Sequence, residues 1–231
     1  MSTRDNGEIA GPTFEAAFLR CMGALVCYIG YWRTKTAMNI AVTHTADDLP
    51  RRAFSVEDVR RMVEAGILAE DERVELIEGE LVVMSAKSVA HDNIKNALTL
   101  ALVKAAPSAM YVGIENTVQL AADILVEPDI TVIARSVFQA DPKSFARPTP
   151  DDVLLLIEVA VSSMAYDRRL KARLYARHGI REYWVIDANQ RITWIHTGPQ
   201  GDGWSSIVER AAHETLATAA LPGFAMKLQD V

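Results

Sequence analysis

A single carboxylate interrupts the most apolar strand-like segment of the sequence. Glu158 lies in the run from Leu154 to Ala160, and every other residue of that run is apolar. Such a run is typical of a strand that is buried on both faces, where an isolated charge is expensive. Glu158 therefore requires a partner, either a metal ion or, alternatively, an arginine or backbone amides at the end of the strand.

A second carboxylate could share a cation with Glu158. Asp129 follows Pro128 at the start of another strand-like segment, which ends at Ala134. A Pro-Asp pair is also common as a turn or strand-entry device. If the two segments are neighbouring strands, about 4.8 Å apart, the two acids can converge on one hard cation through oxygen ligands.

A cationic side chain completes this set. Lys171 lies on a helix that is predicted from about Asp167 to His178. At about 100° per residue, Leu170 and Leu174 define the core-facing side of this helix, and Lys171 lies along its edge. Lys171 can thus reach the end of the sheet near Glu158, although an ordinary surface lysine is the alternative.

Further side chains are weaker candidates for the same chemistry. Glu75, on a predicted strand, could add a carboxylate, and the alternative is a half-exposed strand acid. His91 opens a predicted helix, where capping or solvent exposure competes with a role in proton transfer. Tyr175 could touch a phosphate or could simply pack in the core. The remaining candidates form a basic stripe for a nucleic-acid backbone, with a solvated helix face as the alternative: Arg169, Arg173 and Arg177.

Composition and charge limit the classes of function. The 231 residues are half apolar and carry a net charge of −6, which argues against tight DNA binding by bulk electrostatics. Residues 158–182 nevertheless contain six basic and three acidic side chains, a local charge of +3. The two cysteines and five histidines show no zinc-ligand spacing, and the low cysteine count favours a reducing, cytoplasmic compartment.

The elements that position these residues belong to one predicted domain, residues 38–231. Its core pattern of helix, strand, strand, strand, helix, strand predicts an α/β fold (α+β mixed sheet) with helices on the faces of the sheet. An N-terminal helix and hairpin precede this core. The predicted elements are a helix after Ser55, a hairpin around Glu78-Gly79, a helix at 91–105, strands at 110–120, 129–134, 153–160 and 182–187, and short strands later in the chain.

Residues 1–37 differ in composition from the rest. We expect them to form a poorly ordered N-terminal extension, because the sequence from Met38 has the polar character of an ordinary N-terminus. Their most apolar run, Cys21–Trp32, has twelve residues, fewer than the roughly 20 that span a bilayer. We therefore expect no stable membrane span, with a weak membrane or signal element as the alternative.

Several segments together resemble the Uma family of restriction endonucleases, which is part of the PD-(D/E)xK nuclease superfamily. The likeness covers the chain from about Phe54 to the C-terminus. The segments that carry it are Arg73–Glu80, Glu127-Pro-Asp-Ile, Leu156-Ile-Glu-Val-Ala and the long run Lys171–Asp187. The resemblance implies a restriction-endonuclease-like core, in which Asp129 is the motif aspartate and Glu158 the second acid.

Two positions depart from the superfamily pattern. Ala160 stands where the superfamily usually has lysine, and the resemblance implies that Lys171 on the next helix has taken over that role. Val161 stands where relatives often carry a polar or acidic residue. Together with the acidic net charge, these departures favour the alternative of a catalytically inactive nuclease-fold module that binds DNA or protein.

The resemblance also implies a cofactor and a partner. Mg²⁺, with Mn²⁺ as a substitute, would be held by Asp129, Glu158 and the backbone carbonyl of Val159, for the hydrolysis of phosphodiester bonds. Lys171 would orient the attacking water or offset charge on the phosphorane-like transition state. Nucleic acid, in the first place DNA, is the expected partner, and a homodimer would suit an enzyme that cuts both strands.

Overall fold

A mixed six-stranded sheet forms the centre of the computed structural model, which describes residues 42–44, 50–69, 71–139 and 147–231. The predicted extension, residues 1–37, lies outside these ranges, and the described residues belong to one unit, Ala41–Val231. The strands are β1 (Val42–His44), β2 (Pro50–Arg52), β3 (Val74–Ile77), β4 (Glu80–Val83), β5 (Met110–Ile114), β6 (Val118–Ala121), β7 (Ile124–Val126), β8 (Ile130–Ala134), β9 (Val153–Ala160), β10 (Glu182–Asp187), β11 (Ile192–Gln200), β12 (Gly203–Arg210), β13 (Leu216–Thr218) and β14 (Leu221–Met226).

The central sheet has the spatial order β12-β11-β10-β9-β8-β5. Strands β9 and β10 are parallel, and every other neighbouring pair is antiparallel. A second, four-stranded sheet has the order β4-β3-β7-β6, and the pairs β1-β2 and β13-β14 stand apart from both sheets. The mixed sheet predicted from the sequence is thus confirmed, with β9 and its Glu158 near its middle.

In the described ranges, three α-helices lie beside the strands, namely α1 (Val56–Glu64), α2 (Val89–Ala105) and α3 (Ala172–Arg177). A π-helical segment, Tyr166–Lys171, leads directly into α3. Short 3₁₀ turns occur at Arg135–Gln139, Pro150–Asp152 and Leu228–Asp230. None of the helices in the described ranges is long and apolar enough to cross a membrane.

Side chains at the helix starts explain where α1 and α2 begin. Ser55 Oγ accepts a hydrogen bond from the amide of Asp58, and Asp58 Oδ2 accepts one from the amide of Ser55. This reciprocal capping box satisfies two amide donors that the helix cannot satisfy itself. Ser88 Oγ accepts from the amide of His91 in the same way. Helix α2 therefore begins at Val89, two residues before the predicted start.

Two hydrophobic layers cover the two faces of the central sheet. On one face, Ile94, Leu98 and Leu102 of α2 pack against Leu155 and Ile157 of β9. On the other face, Leu174 and Tyr175 of α3 pack with Leu156 of β9 and with Val118 and Val126 of the second sheet. Because successive strand side chains point to opposite faces, Glu158 projects toward α3 and the second sheet.

Two details of the predicted elements are wrong. The segment 110–120 is two strands in different sheets, because the chain turns at Glu115, whose φ is 54°. Leu170 does not face the core but is 36% exposed. Its segment is π-helical, with hydrogen bonds to the fifth residue rather than the fourth, so the 100° spacing does not hold there. Lys171 and Ala172 are buried instead.

The hairpin turn between β3 and β4 is confirmed and depends on one glycine. Glu78 and Gly79 have φ values of 48° and 82°, as a two-residue turn of type I′ requires. A Cβ atom on Gly79 would lie 2.6 Å from the Cβ atom of Ala53. Gly79 is therefore required both for its backbone conformation and for close packing.

We expect Gly79→Ala to lower the free energy of unfolding by roughly 2–3 kcal/mol, since a left-handed conformation costs about 1–2 kcal/mol and the contact with Ala53 adds to it. Urea unfolding monitored by circular dichroism measures this change. Gly66→Ala is the matched control, because Gly66 also has a positive φ but no atom within 4 Å of its added Cβ. Equal losses in the two variants would contradict the role of the Ala53 contact.

Candidate active site

The register of β8 and β9 brings Asp129 beside Glu158. Ile130 pairs with Ile157 in this antiparallel ladder, so the next position outward sets Asp129 opposite Glu158. At that point Asp129 Oδ2 accepts a hydrogen bond of 2.9 Å from the amide of Val159. The side chain of Asp129 thus continues the ladder just before the first residue of β8. Both acids are only 5% exposed.

Two side chains, those of His91 and Lys87, also contact the carboxylate of Asp129. The Nε2 atom of His91 lies 3.0 Å from the carboxylate, and Lys87 Nζ lies 3.0 Å from Oδ1. A carboxylate can only accept, so the Nε2 atom of His91 carries the proton of this hydrogen bond. Burial raises the pKa of Asp129, but the hydrogen bonds from His91 and Val159 and the charge of Lys87 outweigh it and lower the pKa to about 2. Asp129 is therefore ionised at neutral pH.

Glu158 is satisfied on one oxygen only. Its Oε1 atom accepts from Lys171 Nζ at 2.8 Å and from Tyr175 Oη at 3.0 Å. In the part of the chain that the structure describes, no group donates a hydrogen bond to Oε2, and Glu158 lines a cleft. Burial raises the pKa of Glu158, and the neighbouring carboxylates raise it further against the attraction of Lys171. The charge of Lys171 therefore does not fully offset the burial of Glu158.

Lys171 joins the two sheets at this site. Its Nζ atom donates to Glu75 Oε1 at 2.9 Å as well as to Glu158, and the side chain is 4% exposed. Burial lowers the pKa of Lys171, but Glu158, Glu75 and Asp167 together raise it above its usual value. Glu75 Oε1 also accepts from the amide of Glu127 at 2.9 Å. Lys171 is therefore a fixed ammonium group, and the surface-lysine alternative does not apply.

The structure adds residues to the site that were not predicted from the sequence. Asp167 is 3% exposed, accepts from Ser163 Oγ at 2.6 Å, and has a pKa raised by burial. Tyr166 Oη lies 3.5 Å from Glu75 Oε2. Lys87 stands in the loop between β4 and α2. Asp167 lies at the acidic start of the second helix of the core, a position that the sequence pattern could have indicated. Lys87 lies in a loop, where no hydrophobic periodicity indicates which side chains face the site.

One cleft of about 260 Å³ collects these groups. Five carboxyl groups and two ammonium groups line it, a formal excess of three negative charges. The acids are Glu75, Glu127, Asp129, Glu158 and Asp167, and the lysines are Lys87 and Lys171. This negative excess favours a cation, and carboxylate and carbonyl oxygens are the ligands that Mg²⁺ prefers.

A metal at this site would rest on few protein ligands. Among the residues that the structure describes, no group of three or more His, Cys, Asp and Glu side chains is arranged to hold a metal ion. The predicted set needs only two carboxylates, Asp129 and Glu158, with the carbonyl of Val159. Such a set suits Mg²⁺, which usually keeps several waters and binds proteins through one or two carboxylates. The residues present therefore fit this ion.

The predicted arginine stripe lies outside the cleft. Arg169, Arg173 and Arg177 are all exposed. Arg177 is held by two acids, since its Nε atom donates to Asp202 at 2.8 Å and its Nη1 atom to Glu78 at 2.5 Å. Arg169 and Arg173 have no such partner among the described residues. A role of the stripe in binding a nucleic-acid backbone stays a prediction.

Tyr175 helps to position Glu158 through its hydrogen bond to Oε1. We expect Tyr175→Phe to lower the free energy of unfolding by about 1 kcal/mol, because a buried hydrogen bond to a carboxyl group is lost. It should also lower any nicking activity several-fold, since Glu158 loses one of its two anchors. Urea unfolding and plasmid nicking measure the two effects.

Tyr183→Phe is the matched control for Tyr175. Tyr183 is equally buried, packs edge-on against Tyr175 with ring centroids 4.7 Å apart, and donates to the backbone carbonyl of Asp167 rather than to Glu158. We expect a similar loss of stability with little change in activity. Equal losses of activity in both variants would show that the hydroxyl of Tyr175 acts only through packing.

Comparisons with known proteins agree with this architecture. The structure is similar to the crystal structure of "a putative nuclease belonging to DUF820" from Anabaena variabilis ATCC 29413, with a TM-score of 0.61 and 14% identity over 77% of this chain and 96% of that chain. This likeness shows the restriction-endonuclease-like fold. A match to the type IIG restriction endonuclease BpuSI has a TM-score of 0.31 and 20% identity, and covers 51% of this chain and 13% of that chain.

The sequence itself identifies the family. No curated protein matches the chain in sequence. The profile of the Uma2 family, described as "Putative restriction endonuclease", matches residues 56–229. That range includes both sheets, the cleft and all of the candidate site residues. The match supports a nuclease function, and the chain belongs to the Uma2 family of restriction-endonuclease-like proteins.

Proposed function

We propose that the chain is a divalent-cation-dependent endonuclease that hydrolyses phosphodiester bonds of nucleic acid at this cleft. The observation that carries the proposal is the meeting of Asp129 and Glu158 where β8 begins, with the buried ammonium group of Lys171 on Glu158. The formal excess of three negative charges among the residues that line the cleft supports the binding of a divalent cation. Family membership supports the nuclease class.

Each residue has a distinct role in this proposal. Asp129, Glu158 and the carbonyl of Val159 would hold Mg²⁺ or Mn²⁺. When bound, the ion polarises a phosphate oxygen and lowers the pKa of a coordinated water. Lys171, fixed by Glu75 and Glu158, holds a positive charge beside the position where negative charge develops on the phosphate. His91 and the amide of Val159 keep the carboxylate of Asp129 oriented and ionised.

The finer features of the function belong to the same proposal. We infer DNA as the substrate and a cytoplasmic location, and a homodimer would let two copies cut opposite strands. The exposed Arg169 and Arg173 would contact phosphates outside the cleft. Because the net charge is −6, we expect binding that is weak without a divalent cation and sensitive to salt.

A nicking assay tests the proposal. Supercoiled plasmid should be nicked with Mg²⁺ or Mn²⁺ and left intact with EDTA, and an RNA substrate serves as a parallel arm. Either metal should also raise the melting temperature of the protein, because a ligand at 100 times its Kd stabilises the folded state by about 2.7 kcal/mol. Protein that neither nicks nucleic acid nor gains stability from either metal would overturn the proposal and favour the inactive binding module.

A further inference from the structure

A second lysine of the cleft touches the other acid of the proposed metal pair. Lys87 lies in the loop between β4 and α2, and its Nζ atom is 3.0 Å from Asp129 Oδ1. The side chain is 15% exposed, compared with 4% for Lys171. Lys87 and the loop residues before it line the cleft together with Asp129. The negative charge of Asp129 is therefore balanced by an ammonium group that has access to solvent.

The groups that contact the carboxylate of Asp129 differ in how easily they can move away from it. The amide of Val159 is part of β9, and the ring of His91 is fixed between Asp129 and Asp92, with Nδ1 3.1 Å from Asp92 Oδ1. Lys87 instead carries its charge on a flexible four-carbon chain. Lys87 is thus the group that a competing cation can displace from Asp129 with the smallest change in the surrounding structure.

A second carboxylate is ready to receive the displaced lysine. Glu115 Oε1 accepts hydrogen bonds from both Lys87 and Lys95. Because Lys87 already donates to Glu115, it can leave Asp129 without losing every partner.

We propose that Lys87 is the exchangeable cation of this site. Its ammonium group balances the charge of Asp129 until a divalent cation binds, leaves Asp129 when the cation arrives, and then contacts a phosphate of the bound nucleic acid. The inference rests on the proposed function, because it takes Asp129 as a metal ligand. It follows from two facts, namely that a divalent cation on Asp129 Oδ1 would meet a positive charge on the same oxygen, and that this charge is tethered to the wall of the cleft.

Metal binding without nucleic acid is the first test. Titration of Mn²⁺ into the full-length protein, followed by electron paramagnetic resonance, should show binding about tenfold tighter in Lys87→Met than in wild type, because a competing charge is removed. Lys95→Met is the matched control, since Lys95 shares Glu115 with Lys87 but forms no hydrogen bond or ion pair with Asp129. We expect its Mn²⁺ affinity to stay within about twofold of wild type.

Binding of a short DNA duplex in Ca²⁺ is the second test. Lys87→Met should bind the duplex more weakly, and the slope of log affinity against log salt should fall by about one, as for one lost phosphate contact. Lys87→Arg should restore both quantities because it keeps the charge. Lys95→Met should leave the slope unchanged.

The outcomes separate this inference from the proposed function. Unchanged or weaker Mn²⁺ binding by Lys87→Met, or an equal gain in Lys95→Met, would overturn the exchange. An unchanged salt slope would overturn the phosphate contact. Wild-type protein that binds Mn²⁺ but never nicks nucleic acid would contradict the nuclease proposal alone. Wild-type protein that binds no Mn²⁺ would contradict both the nuclease proposal and the exchange of Lys87.

Discussion

Replacement of Glu158 by glutamine should reduce nicking by at least about a thousandfold while the protein remains folded. Loss of a group that stabilises charge directly in the transition state typically costs two to three orders of magnitude, and here a metal ligand is lost as well. The glutamine side chain would still offer an oxygen to Lys171 and Tyr175, whose distances to Glu158 Oε1 are 2.8 Å and 3.0 Å. The loss should therefore be chemical rather than structural.

The stability of Glu158→Gln gives an independent readout. Burial and three neighbouring acids raise the pKa of Glu158 in the folded state. For a carboxyl group this direction means a cost of folding that begins above the unfolded pKa and grows as pH rises toward the folded pKa. In EDTA, the variant should accordingly be as stable as wild type or more stable at pH 8, and equal to wild type near pH 4. Mn²⁺ should raise the melting temperature of wild type but not of the variant.

Glu182→Gln is the matched control for these measurements. Glu182 is also a buried acid of the central sheet, and it also accepts two side-chain hydrogen bonds, from Trp184 at 2.7 Å and from Thr218 at 2.8 Å. Its pKa is raised by burial as well. It does not line the cleft. We expect nicking within about threefold of wild type for Glu182→Gln, as is usual for a change without contact to the reacting groups. Full activity in Glu158→Gln would contradict the proposed metal site.

The neighbourhood of Asp129 and Glu158 was accessible to sequence reasoning because it depends on short-range patterns. Each acid marks one end of an apolar strand, and consecutive strands of a domain commonly pair. The run around Glu158 also required a partner for its charge. The antiparallel register of β8 and β9 then sets the two acids opposite each other. What the pattern could not supply was the identity of the donors on each oxygen.

The remaining groups of the site could not be predicted because they depend on long-range packing. Glu75 reaches Lys171 from a second sheet, 96 positions away in sequence. Lys171 itself is buried because a π-helical segment shifts the inward face by one residue, which a constant 100° step misses. Lys87 reaches Asp129 from a loop. Periodicity describes single elements, whereas these contacts arise between elements.

Replacement of Lys171 by methionine should cause the largest loss of stability. Lys171 joins Glu75 and Glu158 at 2.9 Å and 2.8 Å, and all three side chains are at most 6% exposed. Removal of one partner from a buried ion pair costs about 3–5 kcal/mol, because the remaining charge is left without compensation. Nicking should be lost together with stability. Urea unfolding in EDTA measures the first effect, and plasmid nicking of the folded fraction measures the second.

An exposed arginine of α3, the helix that follows Lys171, provides the matched control. Arg177 also bridges two acids, Glu78 and Asp202, but its side chain is 44% exposed. Solvent screening makes such pairs weak, so Arg177→Met should change the free energy of unfolding far less than Lys171→Met. Similar losses in both variants would show that loss of helix packing, rather than an uncompensated buried charge, accounts for the effect.

The pH dependence of Lys171→Met identifies the cause of its instability. If the loss comes from carboxylates that must ionise without a partner, the cost is present above the unfolded pKa of a glutamate, about 4.5, and disappears below it. The difference between variant and wild type should therefore shrink as pH falls toward 4. Addition of Glu75→Gln to Lys171→Met should recover part of the stability at pH 8, because one buried negative charge is removed. A loss that is independent of pH, or a double variant less stable than the single one, would mean that Lys171 contributes through its packing and not through its charge.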